Sequence, residues 1–145
     1  MLSGSQRLIR QHDLIHPKAA AYHVLIYGAG MLGSWTTHAL ARMVSTVELW
    51  DGGDVVEEEN IGTQAYCTRD IRLSKGRMIQ LAMEGLEVSV YPHPFPSDTL
   101  PRISAPPDIV IACADTMRAR AEGAVWAYDS AVKLFIDTRA MGLEA

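Results

Sequence analysis

"HVLIYGAGMLGSWTTHALARMV", residues 23–44, decides the fold. Residues 23–30 are a short apolar run stopped by glycines, the pattern of a buried strand entering a tight turn. Residues 31–44 place apolar side chains at Leu32, Trp35, Ala39, Leu40 and Met43, a spacing that suits an amphipathic helix. Within this unit Gly28, Gly30 and Gly33 match the G-x-G-x-x-G spacing. The first glycine permits the turn, the second lets backbone approach a phosphate, and the third lets the helix pack near the strand. The helix N-terminus adds free N–H groups and the positive end of a dipole. A glycine-rich connector with no ligand is the plainer reading of the same residues.

The rest of the chain repeats the alternation. "TVELW" (46–50) reads as the second strand and "SKGRMIQLAMEGL" (74–86) as a helix with Ser74 as N-cap. Residues 87–95 begin as a strand and are broken by prolines at 92, 94 and 96. "DIVIACA" (108–114) is a fully apolar strand, 116–131 a helix weakened by Gly123, and 133–140 a last strand. Residues up to about Ala20 read as a short helix and a connector. Strands alternating with helices predict an α/β fold, a Rossmann-like, doubly wound, mainly parallel sheet with helices on both faces. The expected division is an N-terminal arm over 1–22 and a nucleotide-binding domain over 23–145. Such sheets bind ligands beyond the C-terminal ends of their strands, and polar residues collect there: Gly28–Gly33, Asp51 and Asp54, Asp115, then Asp137 and Arg139.

Composition narrows the function. At 145 residues, 48% hydrophobic and 21% charged, the chain suits one domain with a real core. A net charge of −4 argues against a general nucleic-acid surface. Cys67 and Cys113 form no CxxC pair, and the five histidines show no metal-like spacing. No apolar run approaches the ~20 residues that span a bilayer, and the N-terminus lacks a signal-peptide core. The expectation is a cytoplasmic protein that binds neither nucleic acid nor membrane.

Asp51 ends the second strand near the ~20-residue offset at which an acid reaches a ribose hydroxyl. That fits NAD and ATP equally well, and a turn-capping role fits too. The next residues separate the options. Asp54, Val56, Asn60 and Gln64 resemble the D-x-V-x-x-x-N-x-x-x-Q element of the ThiF/MoeB and ubiquitin-activating superfamily. "IRQHDLI" resembles its N-terminal Arg-Gln segment, "AYCTRDIRLSKGRM" the segment leading to its phosphate-binding lysine, and "CADTMRAR" its strand-end aspartate followed by a helical arginine. "FIDTRAMG" resembles the next strand end in prokaryotic members. The resemblance runs from about Arg7 to Gly142.

It implies an enzyme that uses ATP and Mg²⁺ to adenylate the C-terminal carboxylate of a ubiquitin-like or sulfur-carrier protein. Two anions meet in that reaction, so positioned cations and a metal matter more than covalent chemistry. By resemblance Lys75 and Arg10 supply cations, Arg10 reaching into the neighbouring subunit of a homodimer. Asp115 holds the metal, Asp51 or Asp54 binds ribose, and Asn60 and Gln64 shape the same wall. Each has a duller reading: Lys75 as a solvated first-turn lysine, Arg10 as a stem packed on a helix, Asp115 as an N-cap. Glu57, Glu58 and Glu59 read as a solvated run.

The sequence departs from the pattern at Thr63, where the family carries an arginine that contacts ATP phosphates; Arg69 or Arg72 could compensate. Arg72 stands where a glycine is frequent, and "DGGD" is one residue longer than the usual D-x-D. Family members also continue past the last strand seen here. Two other readings therefore stand beside the enzyme: a nucleotide-binding or scaffolding module without catalysis, and a fragment of an NAD-dependent oxidoreductase.

Overall fold

β1 (His23–Tyr27) turns Val24 and Ile26 to one side and Leu25 and Tyr27 to the other, and all four are buried. A strand buried on both faces must lie at the centre of a covered sheet. The structure, a computed structural model, describes residues 16–96 and 106–139. After β1 come α1 (Met31–Leu40), β2 (Thr46–Trp50), α2 (Lys75–Ala82), β3 (Val88–Tyr91), β4 (Ile109–Ala112), α3 (Met117–Asp129) and β5 (Leu134–Asp137). The five strands pair in the order β3-β2-β1-β4-β5, every pair parallel. The chain winds outward from β1 through β2 to β3, then returns to β4 beside β1 and winds the other way. The winding therefore reverses between β1 and β4, which opens a crevice above that boundary.

The helices divide between the faces. Val24, Ile26, Val47, Leu49 and Ile111 pack with Ile79 of α2 and with Ala41 and Val44 just past α1. Leu25, Tyr27, Val110 and Ala112 pack on the other face with Ala127 of α3 and with Phe95. Each fully buried Leu, Ile or Val contributes about 1.5–3 kcal/mol, so this two-sided core dominates stability. Gly123, expected to weaken its helix, has a packing reason: a Cβ there would fall 2.2 Å from the Tyr27 hydroxyl oxygen.

The elements agree in kind and order with the expectation, and their ends are tighter. β1 stops at Tyr27 because Gly28 takes φ +95°. α1 stops at Leu40 and continues as turns to Val44; α2 stops at Ala82, before Gly85 at φ +83°. The expected N-terminal helix falls largely on residues outside the described set; within it, Pro17–Ala21 is a short 3-10 helix. Between β2 and α2 the chain makes two 3-10 turns, Glu58–Asn60 and Thr68–Asp70, tied by bridges Val55–Ser74 and Val56–Ile71. Arg72 has φ 69° there, a left-handed conformation that accounts for glycine being frequent at that position.

Candidate functional site

The C-terminal ends of β1, β2 and β4 open into a cleft of about 630 Å³, ordinary for a small-molecule site. Its walls include Gly28, Gly30, Asp51, Asp54, Gln64, Lys75, Asp115 and Arg120. The glycine loop forms the floor. A Cβ at Gly28 would lie 2.7 Å from the Cys113 carbonyl oxygen, so the loop touches the end of β4. A Cβ at Gly33 would lie 1.7 Å from the Gly28 carbonyl oxygen, so α1 starts hard against the loop. Gly30, the N-cap of α1, has nothing within 4 Å of that point and lines the cleft. The helix N-terminus therefore faces open space that an anion can enter.

Asp51 directly follows β2 and is 7% exposed. One carboxylate oxygen accepts the Ala29 N–H at 2.9 Å; the other is buried with no partner among the described residues. Burial raises its pKa above the ordinary value, with Asp54 adding to the rise, against the pull of the Ala29 hydrogen bond, the Lys75 charge and, weakest, the Gly53 N–H, which approaches the carboxylate without forming a well-aligned bond. A buried carboxylate oxygen left unpaired at a cleft wall is costly unless a ligand hydroxyl meets it. Asp54 differs: its side chain is 73% exposed and lies 3.8 Å from the Lys75 Nζ.

Lys75 opens α2, where the helix dipole disfavours a cation. Its backbone N–H donates to the Asp54 carbonyl at 2.9 Å, its side chain is only 12% exposed, and it lines the cleft. Ser74 caps α2 as expected, accepting the Arg77 N–H. Gln64 also lines the cleft, with its carbonyl oxygen buried and unpartnered. Asp115, just past β4, is exposed on the wall, and the capping of α3 is done by Thr116 instead. Among the described residues there is no cluster of three or more His, Cys, Asp or Glu side chains that could hold a metal, so a cation at Asp115 would have at most two such ligands from them.

Asn60, Arg69 and Arg72 stand off the cleft wall. Asn60 is buried and does not line the cleft; its side-chain oxygen accepts the Glu57 N–H at 3.0 Å and closes the 3-10 turn. Arg10 lies outside the described residues. Arg69 and Arg72, which could compensate for the arginine missing at Thr63, do not line the cleft. The Thr63 carbonyl accepts the Trp35 indole N–H at 3.0 Å.

One feature was not legible in the sequence, and another, Arg120, was legible there only as the helical arginine that follows Asp115. The Tyr66 hydroxyl donates to the Ala29 carbonyl at 2.7 Å. With Asp51 on the Ala29 N–H, the two peptide groups flanking Ala29 in the glycine loop are each held by a side chain. An aromatic residue in a loop gives no advance sign of that contact. Arg120, one turn into α3, lines the cleft and pairs with Asp137 at the end of β5. Its pattern with Asp115 was visible; its place on the wall depends on how α3 packs across β4 and β5.

The family model described as "ThiF family" matches residues 6–144. Comparison with curated proteins gives no match. Among solved structures, E. coli tRNA N6-threonylcarbamoyladenosine dehydratase, TcdA, is 24% identical with a TM-score of 0.82, over 97% of this chain and 62% of that one. TcdA has also been solved in complex with ATP and with AMP. PaaA is 26% identical with a TM-score of 0.63, over 88% of this chain and 42% of PaaA. E. coli MccB with ATP is 23% identical with a TM-score of 0.59, over 70% and 31%. This chain thus spans about three-fifths of the length of the TcdA structures. Among the described residues no helix is long and apolar enough to cross a membrane.

Proposed function

The chain belongs to the ThiF family, and on that premise we propose that it binds ATP in the cleft and transfers AMP to a carboxylate. The observation that carries the reading is Lys75. A lysine on the first turn of a helix, nearly buried, 3.8 Å from one exposed carboxylate and facing a cleft, is under-compensated without an anion beside it. A triphosphate supplies that anion. Asp51 is the ribose ligand in preference to Asp54, because its unpartnered oxygen is buried at the strand end while Asp54 is solvated and turned to Lys75. The open N-terminus of α1 at Gly30 receives phosphate oxygens. Gln64, which also lines the cleft, offers its unpaired oxygen to the nucleotide.

Asp115 fits Mg²⁺ in this scheme, since that ion needs only one or two carboxylates when phosphates and water complete its shell. Held there, such an ion would supply positive charge to the phosphate oxygens. The acceptor we propose is the C-terminal carboxylate of a small ubiquitin-like or sulfur-carrier protein. Arg10 would reach the site of a second subunit in a homodimer. ATP–pyrophosphate exchange with a candidate carrier tests the reading: exchange is expected in wild type and a loss of at least about a hundredfold in Asp115→Ala. Equal inactivity of both in dimeric, carrier-supplied preparations would rule out catalysis. Thr63 favours one second reading, a nucleotide-binding module without catalysis, which calls for calorimetric ATP binding and no exchange.

A further inference from the structure

The cleft has a second lining cation that the scheme above leaves without a task. Arg120 is 11% exposed in its side chain and sits on the wall beside Asp115. Its Nη1 donates both to the Asp137 carboxylate and to the Thr138 carbonyl. Its Nε and Nη2 meet no acceptor among the described residues. Asp137 is shared: Arg139 donates to its other oxygen from Nη2 at 2.9 Å and from Nε at 3.1 Å. Thr138 is itself pinned, its hydroxyl donating to the Ala112 carbonyl at 2.7 Å. The guanidinium is thus braced by the end of β5, with spare donors on a residue that lines the cleft. A guanidinium offers five N–H donors in a fixed fork suited to carboxylates.

Position decides which anion those donors serve. Asp51 and Lys75 lie at the β2 end, and the glycine loop follows β1. Arg120 is anchored at β5, three strand spacings from β2, roughly 14 Å. A nucleotide with ribose at Asp51 and phosphates over the glycine loop fills the β2–β1 side. The acyl substrate must then approach the α-phosphorus from the β4–β5 side. We infer that Arg120 anchors the carboxylate of the acyl substrate, while Asp137 and Thr138 hold its guanidinium in position. This rests on the adenylation reading and adds to it the residue that selects a free carboxylate. In the reaction a carboxylate oxygen bonds the α-phosphorus. The bond from that phosphorus to the bridging oxygen breaks, and its electron pair leaves with pyrophosphate. Arg120 keeps all its protons throughout.

The test uses the full chain saturated with a non-hydrolysable ATP analogue. A synthetic peptide ending in Gly-Gly is titrated as the free acid and as the C-terminal amide, with binding followed on the arginine Nε–H resonances by NMR. The free acid is expected to bind roughly tenfold or more tightly than the amide and to shift the Arg120 signal. Arg120→Lys, checked for folding by its melting temperature, is expected to lose most of that preference, while affinity for the nucleotide alone falls much less. Absence of an acid preference in wild type that binds the nucleotide overturns the assignment and leaves the ATP site standing. Equal losses of peptide and nucleotide affinity in Arg120→Lys overturn it too, since the arginine would then serve the phosphates. Wild type that binds no nucleotide removes the underlying reading itself.

Discussion

An alanine methyl at Gly33 would fall 1.7 Å from the Gly28 carbonyl oxygen, whereas at Gly30 it meets nothing within 4 Å. The two glycines therefore answer to different demands, one to packing and one to space for a ligand. Gly33→Ala is expected to cost at least about 3 kcal/mol in denaturant unfolding, because the obstacle is backbone. Gly30→Ala is expected to leave unfolding within about 0.5–1 kcal/mol and to weaken ATP binding roughly tenfold, read by calorimetry. Asp51 trades stability for function in the same way. Folding raises its pKa by burial, so the ionised native state is penalised at neutral pH. The penalty is absent below the ordinary carboxylate value and grows as pH rises through the native pKa, since the folded chain then holds its proton more tightly than the unfolded one. Asp51→Asn is expected to melt a few degrees higher at pH 7, with the gain shrinking as pH falls towards 4, while ATP affinity drops. Melting curves across pH check the sign: a lower melting temperature at pH 7 would show that the Ala29 contact outweighs the buried charge. The spacing of the three glycines was readable in the sequence; the burial of Asp51 was not, because it depends on Tyr66 and the glycine loop closing over it.

α3 shows how an element can violate its own propensity for a tertiary reason. Glycine inside a helix costs about 1 kcal/mol relative to alanine, and by that count Gly123→Ala should help. The Tyr27 hydroxyl oxygen stands 2.2 Å from where the methyl would go, and Tyr27 is itself buried with little room to yield. The expected outcome is net destabilisation of about 1–3 kcal/mol by urea unfolding, the opposite of the propensity argument. α2 inverts another local rule by placing Lys75 at its positive end. Ser74 supplies the capping that the helix needs, accepting the Arg77 N–H, which leaves the lysine to the cleft. Sequence patterning located both helices to within a few residues, since an apolar face on each must meet the sheet. It did not show that Asn60 closes a 3-10 turn and stays off the cleft wall, because the same side-chain oxygen can serve a backbone N–H or a ligand.

At the scale of the whole molecule, two oppositely wound halves meet at β1 and β4 and leave the cleft at their junction. A ligand that binds there ties both halves together and stabilises the native state by mass action. ATP at a hundred times its dissociation constant should add about 2.7 kcal/mol, a rise of several degrees in melting temperature. Lys75→Met should abolish most of that rise while leaving the unliganded melting temperature near that of wild type; NADH should not reproduce it. A larger shift with NADH than with ATP would return the oxidoreductase reading. The order and type of the elements, the parallel sheet and the family were determined by the sequence itself. Apolar periodicity and glycine spacing are local properties that the chain carries in any conformation. Only the tertiary structure decided which polar residues share a wall. It placed Asp51, Lys75, Asp115 and Arg120 around one cleft and left Asn60, Arg69 and Arg72 off its walls, because such proximity comes from strand order and helix docking across residues far apart in the chain.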